Sequence, residues 1–558
     1  MRFTKRQYFS DVWFSVKFWS FRLFFVFIFG SLLANIFFLQ VKKESLFSSF
    51  VHVRADDGGS SYVKRGLIYF TDKNNNLIPA VLNKDYPIIF AVPKEVKDPS
   101  YVAKILAPIV NKDQEFLEKI LSKPNDLFEL ILEKANDYQV SQIRALNLEG
   151  IYIRFQNFRF YPYGNLAAHL LGFLAPAEDG TVKGRYGLEL EFEKKLSGLS
   201  KESESGKEGI KEGESIVTTI DHAIQAEAEK IVSSLVKEWQ ADEGLAIVQD
   251  PWSGKILAMG VYPSFDPNNY SSYKIENFIN PAVQLLYEPG SVFKPITMAA
   301  GIDSGKITPQ TTYYDAGYVK VDDRIIRNWD NKSHGLQTMT NVIEKSLNTG
   351  SVFAERIMGH SIFAQYLRNF GFGEKTGIQL PGEISGNIRN LNSKKDVDFA
   401  TISYGQGISV TPIALINAFS AIANGGVLMK PLILADEKPQ VIRRVIKPET
   451  ARQVTEMMVS AVDVNKIAHF ENYKVAGKTG TAFIPDFKKG GYTDKVINTY
   501  IGFAPASQPK FVILIRLTNP AGSPLAGQTV VPAFRKLTEF LLNYYGVAPD
   551  RITENTLD

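Results

Sequence analysis

No cysteine occurs among the 558 residues of this chain. Its absence excludes disulfides, thiolate nucleophiles and cysteine-based zinc sites, and is compatible with an extracytoplasmic location. Histidine is scarce as well. The six present are scattered and form no H-E-x-x-H or similar ligand pair, so a metal site is not expected; no organic cofactor is expected either. Excess charge is also lacking: 63 Lys and Arg against 59 Asp and Glu leave +4, and no basic stripe of the kind nucleic-acid binders carry. Internal repeats are missing. What remains is ordinary globular composition, 45% hydrophobic and 22% charged. The chain is too long for one core, so two or more folded domains are expected.

One long uncharged run stands out, Leu23 to Val41. At roughly 1.5 Å per residue, its 19 residues reach about 28 Å, close to the hydrocarbon thickness of a bilayer. Arg2, Lys5, Arg6, Lys17 and Arg22 precede it against a single Asp11, which places the N-terminus in the cytoplasm. The run exceeds a usual signal-peptide core and no A-x-A-like cleavage site follows it. The expectation is a single-pass protein of the cell membrane: cytoplasmic residues 1–22, a transmembrane helix over 23–41, and everything beyond outside the cytoplasm.

Past a loop-like stretch around Asp56-Asp57-Gly58-Gly59, residues Arg65 to Val92 read as strands, with turns at Asn74-Asn75-Asn76 and at Asn83-Lys84-Asp85. Asp113 to Ala145 shows helical spacing of Phe116, Ile120, Leu121, Leu127, Leu130 and Leu132, split into two helices by Pro124. Ser197 to Ser215 is mostly Ser, Lys, Glu and Gly, a solvated loop that sets the domain boundary. Beyond it helix and strand signals alternate. A hairpin turns at Asp250-Pro251-Trp252-Ser253-Gly254, strands follow at Lys474-Val475-Ala476 and Phe511 to Ile515, and a last helix runs from Phe534 to Tyr545.

Three short strings carry the chemistry: Ser291-Val292-Phe293-Lys294, Ser346-Leu347-Asn348 and Lys478-Thr479-Gly480. Ser291 follows Glu288-Pro289-Gly290 at a helix start, where backbone N–H groups favour developing negative charge. Lys294 is three residues on and shares its face. A serine hydroxyl becomes nucleophilic once a neighbour takes its proton, and lysine can do so when burial or nearby positive charge lowers its pKa. Lys478 supplies such a charge. Pro295 is tolerable only near the helix start. Ser346 is placed to relay a proton to a leaving amine, and Asn348 to hold Lys294 or a substrate amide. Lys478, Thr479 and Thr481 form a carboxylate clamp on a strand whose Gly480 lets a substrate backbone approach. The N–H groups of Ser291 and Thr481 form a candidate oxyanion hole. Each string alone is weak, and serine and asparagine are commonly only loop or helix-end residues.

Their order resembles that of penicillin-binding proteins and serine β-lactamases. Tyr287-Glu288-Pro289-Gly290-Ser291, Ala476 to Ala482, Tyr404-Gly405-Gln406-Gly407 with Val410-Thr411-Pro412, and Asp250 through Phe265-Asp266-Pro267-Asn268 resemble transpeptidase segments. Arg65-Gly66-Leu67-Ile68, Arg159-Phe160-Tyr161-Pro162 with Ala168-His169 and Gly172, and Gly187-Leu188-Glu189 resemble the non-catalytic pedestal of class B penicillin-binding proteins. The resemblance implies an α/β (α+β) architecture: a pedestal over residues 42–215, a transpeptidase domain over 216–545 with an antiparallel sheet flanked by helices as in serine β-lactamases, and a tail over 546–558. It implies a D,D-transpeptidase that acts on peptidoglycan stem peptides and binds β-lactams, with catalytic Ser291, Lys294, Ser346, Asn348 and Lys478 and substrate-binding Thr479, Gly480 and Thr481. It also implies partners: a multi-span glycan polymerase and other divisome or elongasome membrane proteins. One departure concerns the turn after Arg65-Gly66, where Asp72-Lys73-Asn74-Asn75 replaces an Asp-Arg-Asn-Gly-like sequence and removes the arginine of any salt bridge there.

Four alternatives share these residues. A class A β-lactamase would use Glu383-Ile384-Ser385-Gly386-Asn387 as a deacylating loop, but the flanking Leu380-Pro381-Gly382-Glu383 resembles a transpeptidase turn, and β-lactamases have neither pedestal nor anchor. A membrane-bound β-lactam sensor would need several spans. A scaffold without chemistry would not need the intact set. A D,D-carboxypeptidase uses the same residues with water as acceptor, and the long pedestal favours cross-linking over it.

Overall fold

In the computed structural model, residues 64–178, 180–198, 212–486, 489–522 and 525–551 are described. Strands β1 (Ile68–Thr71) and β2 (Leu77–Ala91) form an antiparallel pair across the expected turn. Asp72 builds that turn, its Oδ1 accepting the N–H groups of Asn74 and Asn76 at 2.8 Å each, with Asn75 left-handed at φ 61°. Lys73 turns to the aromatic terminal helix, donating from Nζ to the Tyr544 carbonyl at 3.0 Å and lying 4.9 Å from that ring's centroid.

Two local expectations are corrected. No turn forms at Asn83-Lys84-Asp85, because β2 runs straight through it. Strand β4 (Ile151–Phe160) pairs with Leu82–Ala91, and the polar residues bond to the residues directly opposite: Arg159 donates to Asn83 and Asn157 to Asp85, each at 2.8 Å. Nor does Pro124 divide two helices. Helix Gln114–Leu121 is followed by strand β3 (Glu129–Leu132) and then by helix Asp137–Leu146. The alternate leucines Leu130 and Leu132 fit a strand as well as a helix, and pairing with Ile89 and Phe90 of β2 decides the matter by burying Ile131.

A small hairpin, β5 (Leu174–Pro176) and β6 (Val182–Gly184), precedes β7 (Ile216–Asp221). The latter begins just past the expected boundary at Ser215, yet it runs parallel to β1 in the pedestal sheet. Its Thr219 meanwhile bonds to the carbonyls of Ile256 and Leu432, so the strand is shared by both domains. Glu189 brings the three pedestal segments together. Fully buried, it accepts from Arg65 Nε at 2.8 Å and Arg159 Nε at 2.6 Å. Asn268 ties this region to the catalytic part through both the N–H and the carbonyl of Tyr161, at 3.0 and 2.9 Å.

The catalytic part is built on β8 (Glu243–Gln249) and β9 (Ile256–Tyr262), which flank the expected Asp250–Gly254 turn. Short two-stranded antiparallel pairs follow, with β10 (Thr312–Asp315) paired to β13 (Gly335–Thr338), β11 (Tyr318–Val321) to β12 (Arg324–Arg327), and β14 (Val427–Met429) to β15 (Val441–Arg444). Strands β16 (Ala476–Pro485), β17 (Tyr492–Ala504) and β18 (Phe511–Thr518) complete an antiparallel sheet of order β16-β17-β18-β8-β9. From Phe511 to Ile515 strand β18 is apolar on both faces because both are covered. Phe511, Ile513 and Ile515 pack with helices His222–Glu238 and Val530–Tyr545, while Val512 and Leu514 join the cluster holding Phe293, Ile296 and the wholly buried helix Pro412–Ala423. The terminal helix starts four residues before the expected Phe534. The start of the expected tail packs back on the domain, Val547 accepting from Tyr473 and Arg551 pairing with Asp463.

Among the described residues no helix is long and apolar enough to cross a membrane, and no His, Asp and Glu group is arranged to hold a metal. The expected span Leu23–Val41, the Asp56–Gly59 loop and most of the Ser197–Ser215 loop lie outside them.

Candidate active site

Ser291 lies in a tight 3₁₀ turn, Gly290–Phe293, which runs directly into helix Lys294–Asp303. Pro295 falls in the first turn of that helix, where its missing N–H has no partner to lose. The turn is anchored from behind. Gly290, at φ 60°, donates its N–H to the Gly405 carbonyl at 3.0 Å. Gly405 is itself left-handed, and a Cβ there would stand 2.2 Å from the Gly290 carbonyl oxygen. On the other side a Cβ at Gly480 would stand 2.9 Å from the Pro289 carbonyl oxygen, so glycine lets β16 press against the serine turn.

The three strings meet at the Lys294 amine. Its Nζ lies 2.8 Å from Ser291 Oγ, 2.7 Å from the Ser346 carbonyl oxygen, 3.1 Å from Ser346 Oγ and 2.9 Å from Asn348 Oδ1. Ser346 is left-handed, at φ 57°, and caps helix Met339–Lys345, while Asn348 opens helix Asn348–Met358. This corner turns both side chains and one carbonyl to the same amine. The Asn348 amide is oriented from outside, since its Nδ2 donates to the Arg327 carbonyl at 2.9 Å and leaves Oδ1 for Lys294.

Lys294 is completely buried. Burial first, and then the positive charge of Lys478, hold its pKa well below the ordinary lysine value. The partners agree with a neutral amine. Two of them, the Ser346 carbonyl and Asn348 Oδ1, are pure acceptors and take its two N–H groups. Its lone pair is then left to accept the Ser291 proton. Lys478 is also buried, which lowers its pKa to about 7. Its Nζ donates to Ser346 Oγ and to the Thr479 carbonyl, each at 3.0 Å, and lies 3.4 Å from Thr479 Oγ1. Ser346 Oγ thus bridges the two lysines. Strand β16 ends its sheet, so its outer edge has no strand neighbour among the described residues. Thr479 and Thr481 on it are half-buried. Thr481 Oγ1 accepts the Ala526 N–H at 3.3 Å, which leaves its own proton free to donate.

Ser291, Lys294, Ser346, Asn348, Lys478 and Thr479 are therefore linked by direct hydrogen bonds, with Gly480 and Thr481 next on the same strand. Glu383 plays no part: its carboxylate closes a local loop through the Thr376 N–H and hydroxyl and the Gly377 N–H. The sequence reading missed the Arg327 carbonyl, which holds Asn348. A backbone acceptor 21 residues away leaves no signal in residue type.

These pKa shifts set a pH profile. With Lys294 as the expected base, acylation by a dilute penicillin, measured as its second-order rate constant, should rise as pH climbs through the lysine's lowered pKa. With Lys478 as the expected carboxylate clamp, it should fall as that amine loses its proton around pH 7. Lys478→Arg, always charged, should lose the falling limb. A profile flat from pH 5 to 9 would contradict the assignment of both lysines.

Residues 244–539 match the penicillin-binding protein transpeptidase domain, and residues 60–225 the penicillin-binding protein dimerisation domain. Stage V sporulation protein D of Bacillus subtilis is 32% identical, the alignment covering 85% of this chain and 78% of that protein. Peptidoglycan D,D-transpeptidase FtsI of Escherichia coli is 29% identical over 88% of this chain and 85% of its own. Penicillin-binding protein 2X from Streptococcus thermophilus shares the fold, with a TM-score of 0.69 at 23% identity over 87% of this chain and 80% of that one. With both domain matches in place, and Ser291, Lys294, Ser346, Asn348 and Lys478 all hydrogen-bonded together within the transpeptidase match, the chain belongs to the class B penicillin-binding proteins.

Proposed function

We propose that Ser291 is the nucleophile of a peptidoglycan D,D-transpeptidase and Lys294 its general base. The observation that carries this reading is the 2.8 Å contact between Ser291 Oγ and a fully buried amine whose N–H groups are taken up by carbonyl acceptors. Lys294 removes the Ser291 proton as Oγ attacks the penultimate D-Ala carbonyl of a stem peptide ending in D-Ala-D-Ala. The N–H groups of Ser291 and Thr481 stabilise the oxyanion. Collapse of the tetrahedral adduct breaks the peptide bond, and the proton returns from Lys294 through Ser346 Oγ to the departing D-Ala amine. Lys478, Thr479 and Thr481 hold the terminal carboxylate. An amine of a neighbouring stem peptide then attacks the acyl-enzyme, and the reverse proton path frees Ser291. A β-lactam presents the same carbonyl and carboxylate, and so acylates Ser291.

The uncharged run Leu23–Val41, with its preceding basic residues, supports a single membrane pass with the N-terminus in the cytoplasm and the catalytic domain outside. On that reading the span and pedestal meet a multi-span glycan polymerase and other divisome or elongasome proteins, and co-purification through the span tests it.

Fluorescent penicillin tests the nucleophile. The wild type should carry one stable label per chain, and Ser291→Ala none. A label that persists in Ser291→Ala removes the assignment. Rapid release of the label would point to β-lactamase activity, and release of D-Ala without transfer to a labelled acceptor amine would point to a carboxypeptidase.

A further inference from the structure

Glu288 lies three residues before Ser291 and is almost wholly buried. Its two carboxylate oxygens serve two different elements. Oε1 accepts the Gly407 N–H at 3.0 Å, and Oε2 accepts the Tyr492 hydroxyl at 2.9 Å. Gly407 belongs to the segment that also receives the serine turn through Gly290 to Gly405 at 3.0 Å, and through Tyr287 and Val410 at 3.1 and 3.0 Å. Tyr492 is the first residue of β17, the strand that returns from the one carrying Lys478, Thr479 and Thr481. One carboxylate therefore joins the nucleophile turn, the segment behind it and the hairpin that bears the carboxylate clamp.

We propose that Glu288 is a positioning residue that holds the Ser291 turn and the β16–β17 hairpin at their working separation. This rests on the reading of Ser291 as nucleophile. Loss of the carboxylate strands a buried N–H at Gly407 and frees Tyr492, so both sides of the cleft shift relative to the bound carbonyl. A shift on the order of 1 Å in a reacting group lowers rates by about a hundredfold.

Stopped-flow acylation by a chromogenic penicillin separates the dissociation constant of the initial complex from the acylation rate constant. Glu288→Ala should lower the acylation rate constant by about ten- to a hundredfold per folded molecule. Glu288→Gln keeps an acceptor for Gly407 and offers an N–H to the Tyr492 oxygen, so it should stay within about threefold of wild type. Tyr492→Phe cuts only the hairpin arm and should weaken the initial complex by about three- to tenfold, one hydrogen bond's worth, with little change in the rate constant. A purely structural role would lower the melting temperature and leave both constants untouched in the folded fraction. That result overturns the proposal, as does a Gln variant as slow as the Ala variant. If Glu288→Ala fails to fold, unchanged constants in Tyr492→Phe overturn the coupling. A wild type that takes no acyl group would instead remove the Ser291 reading itself, so the two failures are distinguishable.

Discussion

Lys294→Met should reduce acylation by penicillin by about 10³- to 10⁴-fold while the protein stays folded. Methionine fills a similar volume but offers no lone pair to the Ser291 proton, and positioned general bases contribute up to about four orders of magnitude. The stability of the variant is as informative as its rate. A buried lysine held well below its ordinary pKa is neutral in the folded chain and charged in the unfolded one, up to the ordinary value of 10.5. Within that window the unfolded state binds the extra proton, so wild-type stability rises with pH. The contribution is most unfavourable below the lowered pKa and vanishes above 10.5. Methionine has no such dependence. Lys478 adds a slope of the same sign between about 7 and 10.5, but it is present in both proteins. The melting temperature of the wild type minus that of Lys294→Met should therefore increase steadily from pH 7 to pH 10. A difference independent of pH would mean that Lys294 keeps its charge in the fold. Acylation within tenfold of wild type would mean that another group takes the serine proton.

Glu189→Ala should lower the unfolding free energy by about 3–5 kcal/mol, the range for breaking a buried ion pair from one side. Two arginines share this carboxylate. Arg65 retains Glu193, which its NH1 and NH2 reach at 3.1 and 2.7 Å. Among the described residues Arg159 has no second carboxylate partner and keeps only the Asn83 side chain, at 2.8 Å, with one of its guanidinium nitrogens already buried and unbonded. The loss is thus mainly an uncompensated charge at Arg159. Glu193 is more exposed and serves only Arg65 of this pair, so Glu193→Ala should fall nearer 1 kcal/mol. Denaturant unfolding of the three proteins measures the difference. The acylation rate constant of folded Glu189→Ala should match wild type, because the network shares no hydrogen bond with the Ser291 cluster. A loss below about 1 kcal/mol for Glu189→Ala would show that Arg159 finds water on its own.

The catalytic cluster was legible where local geometry links residues. Three positions along a helical turn put Lys294 beside Ser291, and Pro-Gly before the serine announced a chain that stops and restarts. The strand at Lys478 and the turn at Asp250 follow from residue type in the same way. Legibility failed where two periodicities overlapped or a partner decided the outcome. Leu130 and Leu132 satisfy helix and strand patterns alike, and β2 captured them. Asn83 and Asp85 look like turn residues, but Arg159 and Asn157 across the pair gave their side chains bonds that a turn would have had to replace. The boundary expected at Ser215 runs into a strand that hydrogen-bonds to the pedestal on one side and the catalytic domain on the other.

Residue order alone therefore nominates the groups for acyl transfer: a serine, two lysines, a second serine and an asparagine, in strings whose flanks mark a turn, a helix end and a strand. Their condition depends on packing. Lys294 and Ser346 meet across 52 positions, and Lys478 and Ser346 across 132. The Lys294 pKa falls because closing the sheet and helices around the amine removes water from its charge, and because Lys478 is brought beside it. Desolvation is a property of the assembled interior, and no string of residue types contains it.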